Sequence, residues 1–274
     1  MNGKDKRPEV IVRDCRRRRL LKQGLMLLVM GAAFAWIFWQ IWWRDAGLPV
    51  VLLSLLVYAL AVFAVNVWIS WDVLVLNLIL NQDCDPVKFA RVMHLLGERR
   101  NNRRNSLVLR ISEAAGIFWS GRFSEARTLA ESLPMPKEAG YRISLLNIRF
   151  NCCMKLGDHA GALALRREAE ALTASLNKAS MRKRGQELLD VMDASFALHG
   201  KDYETFRRLE EVRSAGYKAN IQKVVSAAGL AEADIARGDI QNARKRLEYA
   251  IQNGGTLYVV EDARRMLAEL EEKE

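Results

Sequence analysis

The sequence predicts an all-α protein: a basic leader, a hairpin of two membrane-spanning helices, then a helical repeat domain ending in one capping helix. Three observations predict it. Two long segments carry no charge, a glycine-centred turn recurs at a near-regular step, and helix breakers are scarce between its copies. Half of the 274 residues are apolar and 27% are charged, so the two classes have to be segregated along the chain.

Residues 1–22 form the basic cytoplasmic leader, with nine basic and three acidic side chains, including Arg16-Arg17-Arg18-Arg19. Two transmembrane helices follow within residues 23–71. Residues 25–43 hold no charge in 19 positions and residues 48–71 none in 24. As helices they reach about 28 and 36 Å, against a hydrocarbon core of about 30 Å. A helix apolar on every face over such a length points to lipid rather than to a protein core. The first span ends in Trp39, Trp42 and Trp43 rather than at a small-residue cleavage site, so it is expected to be retained. Only residues 44–47 separate the spans, which makes them an antiparallel hairpin.

Charge sets the expected orientation. The link carries one basic residue, Arg44, whereas residues 88–110 carry seven basic and one acidic residue. Positive loops stay cytoplasmic, so both termini are expected there, in a multi-pass protein of the plasma membrane. The net charge of +10 lies beside the spans, and residues 111–274 balance 25 basic against 24 acidic side chains. That distribution favours anionic lipid near the basic segments and argues against nucleic acid, which calls for a basic face on the binding domain. Six of the seven tryptophans fall in the spans as interfacial anchors, and Asn66 is expected to pair with another helix.

Residues 72–274 are expected to form the cytoplasmic domain. They hold three prolines, Pro86, Pro134 and Pro136, and no alternating β-branched run. One element recurs: Gly121-Arg122-Phe123-Ser124-Glu125-Ala126 returns at Gly157 to Ala162, at Gly238 to Ala243 and, more loosely, at Gly200 to Thr205. Glycine ends one helix, and the small residue five positions later lets the next pack closely. The steps of 36, 43 and 38 residues each accommodate two helices and two turns, the mark of an α-solenoid of about five helix hairpins.

This turn resembles that of the tetratricopeptide repeat family, with its glycine, polar, aromatic and alanine positions inside a two-helix unit. The resemblance spans most of residues 72–253; the steps exceed the family's usual period, and its tryptophan and terminal proline are absent. It implies a TPR-like solenoid whose first helices line a concave surface for a protein or peptide. Counting back from each turn places Ser112, Phe118 and Trp119 there, then Ser144, Asn147, Asn151, Met154 and Lys155, then Glu187 and Asp190, and Glu232 falls in the same groove. Ser112, Trp119, Asn147, Asn151, Lys155, Glu187 and Asp190 are the candidate partner-binding residues. Asn147, Asn151 and Lys155 share one helical face.

One repeat step back from Gly121 falls on Asp85, so Asp85-Pro86-Val87-Lys88-Phe89-Ala90 is expected to be the first turn, with Asp85 as N-cap and Pro86 at the first helical position. The flanking Asp83 and Cys84 are then a structural junction rather than a reactive site. Residues 257–274 are expected to cap the domain, with Glu261, Asp262 and Glu269 on the solvent side.

Little suggests catalysis. Cys15, Cys84, Cys152 and Cys153 have no metal-site spacing, and Cys152 and Cys153 point to different sides of one helix. His94 and His199 show no acidic or thiol partner in the sequence, and His159 lies across a turn from the adjacent cysteines. No phosphate loop, nucleophile elbow or H-E-x-x-H helix is present. The expectation is a non-enzyme without metal or cofactor: a membrane-anchored adaptor or scaffold for a protein partner at the cytoplasmic surface. The alternatives are a self-assembling factor, a homo-oligomer joined through Gly31 and Ala35, or a membrane-associated enzyme or signalling component.

Overall fold

A computed structural model describes residues 6–43, 48–98 and 103–272. Among these the chain forms twelve helices and no strand. It divides into two compact units, Met1–Leu78 and Ile79–Glu274.

In the first unit, α1 (Pro8–Trp43) begins inside the basic leader, so leader and first apolar segment are one helix. Its Pro8–Trp39 stretch is long and apolar enough to cross a membrane. Apolar side chains such as Leu27, Leu28, Phe34 and Trp42 stand exposed. α2 (Leu48–Asn81) carries a described apolar run over Leu52–Ala64. The link 44–47 and the side chains of Trp43, Asn66, Trp68 and Trp71 lie outside the described residues, as do residues 99–102 of the second basic segment.

The second unit contains α3 (Pro86–Gly97), α4 (Arg103–Trp119), α5 (Phe123–Ser132), α6 (Ala139–Lys155), α7 (His159–Ser175), α8 (Ala179–His199), α9 (Tyr203–Ser214), α10 (Asn220–Ala236), α11 (Ile240–Asn253) and α12 (Tyr258–Glu271). Five of its turns share one chemistry. A residue with positive φ precedes the residue that opens the next helix: Cys84 (52°), Gly121 (85°), Gly157 (75°), Lys201 (60°) and Gly238 (77°). In four of them the following N–H closes the preceding helix by reaching back five residues, as Asp158 does to the Cys153 carbonyl at 2.9 Å. Asp85, Asp158, Asp202 and Asp239 then cap α3, α7, α9 and α11, each accepting from a backbone N–H three residues on. Arg122, opening α5, makes no such cap and pairs with Glu125 instead.

Two turns correct the expected register by one residue. Gly200 is right-handed and Lys201 takes the left-handed position. In the first turn Cys84, not Asp85, stands where the others have glycine, although Asp85 caps α3 and Pro86 opens it as expected. The small position shifts with the register. Ala126, Ala162 and Ala243 are fully buried, but the residue five beyond Lys201 is Phe206. Its bulk is met by Gly229 on α10, where a β-carbon would come within 2.8 Å of the ring. Likewise Gly116 on α4 admits Ala90 of α3, at 2.9 Å from such a β-carbon.

Each helix from α3 to α12 packs on its successor, and α4, α6 and α8 also pack on one another in turn. Cys152 joins a core with Ile111, Phe118 and Leu145, while Cys153 joins another with Leu146, Phe150 and Met192; adjacent residues thus face opposite sides of α6. Burial raises the Cys152 thiol to about 12 and also raises that of Cys153, which keeps both protonated. Arg149 of α6 donates to the carbonyls of Ala130 and Leu133, closing the end of α5. Buried Asp234 of α10 accepts from Arg207 of α9 and Arg246 of α11, so its charge is compensated from both neighbours.

The two ends of this unit meet. The Thr256 N–H donates to the Cys84 carbonyl at 3.0 Å, and the Asn220 amide reaches the carbonyls of Gln82 and Asn253. Tyr258 at the start of α12 sits against Phe118, Trp119 and Phe123, with ring centroids 4.9 to 5.8 Å apart. The helices therefore curve round until the last returns to the first.

Candidate functional site

That curvature frames a half-open cavity of about 470 Å3 in the second unit, within the range of small-molecule pockets. Its walls come from the end of α4, from α6, α8, α9, α10 and α12, and from the α9–α10 turn. Leu198, Phe206, Ile221, Val225, Val259 and Met266 give it an apolar surface. Charged and polar groups are set into that surface.

Four of the sequence-predicted residues, Trp119, Asn147, Asn151 and Lys155, stand in the wall. The last three lie one helical turn apart on one face of α6, as their spacing requires. The Asn151 amide donates to the Asn147 carbonyl and to its side-chain oxygen, both at 2.8 Å, leaving the Asn147 amide nitrogen available to the cavity. The Lys155 ammonium lies 4.8 Å from the centre of the Tyr258 ring, and no carboxylate among the described residues is within 4.0 Å of it. Burial lowers its pKa below the usual lysine value, while Asp262 and Glu232 act in the opposite direction.

Ser112, Glu187 and Asp190 do not line the cavity. The Ser112 hydroxyl is spent on the Val108 carbonyl within its own helix, and Asp190 accepts from Gln186. Glu187 is exposed on α8. The cavity-facing stripe of α8 is Val191, Ala194, Ser195, Leu198 and His199, one residue round the helix from Asp190. Phe118 is core rather than wall, and Ser144 bonds the Gly140 carbonyl. Met154, also counted onto this face, does line the cavity.

Glu232, counted into the groove, does line the cavity, and the residues that counting missed come from α8, α9, the α9–α10 turn, α10 and α12. Glu210 is buried and held by Arg213 at 2.7 Å and by the Tyr217 hydroxyl at 2.6 Å. Burial, and then that bond to Glu210, raises the Tyr217 pKa and keeps the phenol protonated. Glu232 accepts from the Tyr203 hydroxyl at 3.2 Å. His199 meets the Ser195 carbonyl through Nδ1 at 2.9 Å; that partner can only accept, so Nδ1 carries the proton and Nε2 is left as an acceptor. Burial lowers the His199 pKa, which favours this neutral form.

α12 departs most from expectation. Glu261 faces solvent as a cap residue should, but Tyr258, Asp262 and Arg265 line the cavity. The i, i+4, i+7 spacing of those three was a signal in the sequence, which a purely capping role for this helix passes over. His94 corrects a second expectation. Its Nδ1 lies 2.8 Å from Glu113 of α4 and its Nε2 3.1 Å from Glu98, so it has two acidic partners, away from the cavity. Among the described residues no group of three or more His, Cys, Asp or Glu side chains converges as a metal site.

No family model, no curated protein and no solved structure matches this chain.

Proposed function

We propose that the chain is a membrane-anchored, TPR-like helical-repeat adaptor that binds a protein partner by taking a short segment of it into the cavity. In this reading residues 23–71 are a transmembrane hairpin in the plasma membrane, both termini are cytoplasmic, anionic lipid faces the basic segments, and the role is recruitment rather than catalysis. The observation that carries it is the cavity: apolar walls with Asn147, Lys155, Gln222 and Arg265 as donors and Glu232 and His199 as acceptors. A peptide offers a matching mixture of apolar side chains and backbone donors and acceptors. The recurring turn supports the repeat architecture, and the apolar stretch Pro8–Trp39 supports the anchor.

A photo-crosslinking residue placed at Asn151 or Arg265 of the full chain tests it in the producing cell. Arg167, exposed on α7, is the control. One partner polypeptide cross-linked from both cavity positions and not from Arg167 is the expected result. Cross-links only to further copies of the chain would favour self-assembly and sink the adaptor reading. A reporter fused after Glu274 checks the topology, which fails if it is active only outside the cytoplasm.

A further inference from the structure

Helices α8 and α10 begin with the wrong charge for a helix start. The backbone N–H groups there favour acidic side chains, and α7, α9 and α11 open on the capping aspartates Asp158, Asp202 and Asp239. α8 has no acidic residue in its first turn. Its N-cap is Lys178, which makes no side-chain cap, and Arg182, Lys183 and Arg184 follow directly after that turn. α10 also has no acidic residue in its first turn, with Lys218 just before the helix and Lys223 just inside it. All six cations are exposed, and none is held in an ion pair or side-chain hydrogen bond among the described residues. Cations in these places oppose the helix dipole, so helix formation does not account for them.

Both starts lie on one edge of the second unit. α9 packs on α8 and on α10 and is joined to each by a short turn, so α8 and α10 run parallel and begin on the same side. α9 ends there too, and its Val212 stands 78% exposed. The chain itself enters the unit at this edge. Gln82, the fourth residue of the unit, donates to the Lys218 carbonyl at 3.4 Å, and its own carbonyl accepts from Asn220 at 3.3 Å. The neighbouring start of α6 is neutral by comparison, with Lys137 and Arg142 standing beside Glu138 and Glu168. On the basic edge the exposed carboxylates are Glu187 and Glu211, and Glu210 is already paired with Arg213. An excess of positive charge and an exposed apolar side chain thus meet where the chain comes in from an apolar helix.

We propose that this edge is a lipid-docking surface. Lys178, Arg182, Lys183, Arg184, Lys218 and Lys223 hold the second unit against the anionic headgroups of the bilayer that anchors the chain, and Val212 meets the apolar layer beneath them. Nucleic acid would match the charge but offers no such layer to Val212. Each cation near an anionic surface favours the docked state about fivefold. Six of them, set against Glu187 and Glu211, favour it by up to about several hundredfold. The anchor adds to this, because a tethered unit is never dilute with respect to its own bilayer. The surface is separate from the basic leader and from residues 88–110; it rests on the membrane anchor of the reading above and not on what the cavity binds.

The test places the full chain in nanodiscs of phosphatidylcholine, alone or with phosphatidylserine, and follows acetylation of each lysine by peptide mass spectrometry. Lys178, Lys183, Lys218 and Lys223 are expected to react at least about fivefold more slowly in the anionic discs. Lys201, exposed at the opposite edge in the α8–α9 turn, is the control and should change less than about twofold. Raising the salt from about 0.1 to about 1 M, which cuts the screening length from about 10 to about 3 Å, should remove the difference. Arg182→Gln combined with Arg184→Gln should return Lys178 and Lys183 at least about threefold toward their rates in neutral discs. The docking is overturned if the edge lysines and Lys201 slow alike, if none slows, or if the double variant leaves Lys178 and Lys183 equally protected. A chain that does not enter the neutral discs overturns the anchor and this proposal with it. The cavity reading is judged separately, by the cross-links from Asn151 and Arg265.

Discussion

Lys201 holds a left-handed backbone, φ 60°, at the turn position where three sister turns have glycine. A β-carbon in that conformation costs about 1–2 kcal/mol, and glycine's larger unfolded-state freedom takes back about 0.5–1 kcal/mol. Lys201→Gly is therefore expected to stabilise the domain by up to about 1 kcal/mol. Gly238→Ala, at φ 77° with open space around it, should cost about 1 kcal/mol. Chemical denaturation of the two variants measures both signs, and a destabilising Lys201→Gly would refute this account of the turn.

The capping aspartates belong to the same scale. Asp158 is held below its ordinary carboxylate value of 3.8 first by the Gly161 N–H, Asp202 first by the Thr205 side chain, and Asp239 first by the Asn242 side chain. A lowered carboxylate contributes stability that is fully present above its unfolded value and is lost as pH falls through its folded value. Stability is thus expected to be level from neutral pH to about 5 and to fall below about 4. Replacing all three by asparagine keeps the caps and should flatten that fall in acid-unfolding curves.

At the scale of elements, the joint between α9 and α10 depends on one exchange of volume. Where the three glycine turns place alanine, Phe206 enters, and Gly229 makes room. Gly229→Ala is expected to cost about 1–3 kcal/mol through overpacking. Combined with Phe206→Leu, part of that loss should return, giving a coupling of about 0.5–3 kcal/mol in a double-mutant cycle. Strict additivity would mean that the contact does not set the approach of the two helices.

For the whole molecule, the return of the last hairpin to the first makes the opening residues of the second unit part of its closure. A fragment of residues 79–274 is expected to unfold in a single cooperative transition. A fragment of residues 86–274 lacks Gln82 and Cys84, so Asn220 and Thr256 lose partners; it should be less stable by about 1–3 kcal/mol. Equal stability of the two fragments, measured by thermal melting, would show that the closure contributes nothing. The full chain, with its exposed apolar stretch over Pro8–Trp39, is expected to stay in the membrane fraction through an alkaline wash, and release into the supernatant would count against a spanning helix.

By itself the sequence determined what is local. Charge-free length marked the apolar helix, glycine and aspartate at fixed offsets marked the turns, and Pro86 after Asp85 marked the start of α3, because propensity and capping act within a few residues. Periodicity also put Asn147, Asn151 and Lys155 on one face of α6, where the cavity is. Tertiary structure alone decided which faces meet. That α12 turns Asp262 inward, that α8 presents Ser195 and His199 in place of Asp190, and that Cys84 lies under a seam with Thr256 all depend on how each helix is rotated against its neighbours. That rotation is set by close contacts such as Ala90 on Gly116 and Phe206 on Gly229, between residues distant in the chain. Small turns at each joint accumulate into curvature, and no single stretch of sequence carries their sum.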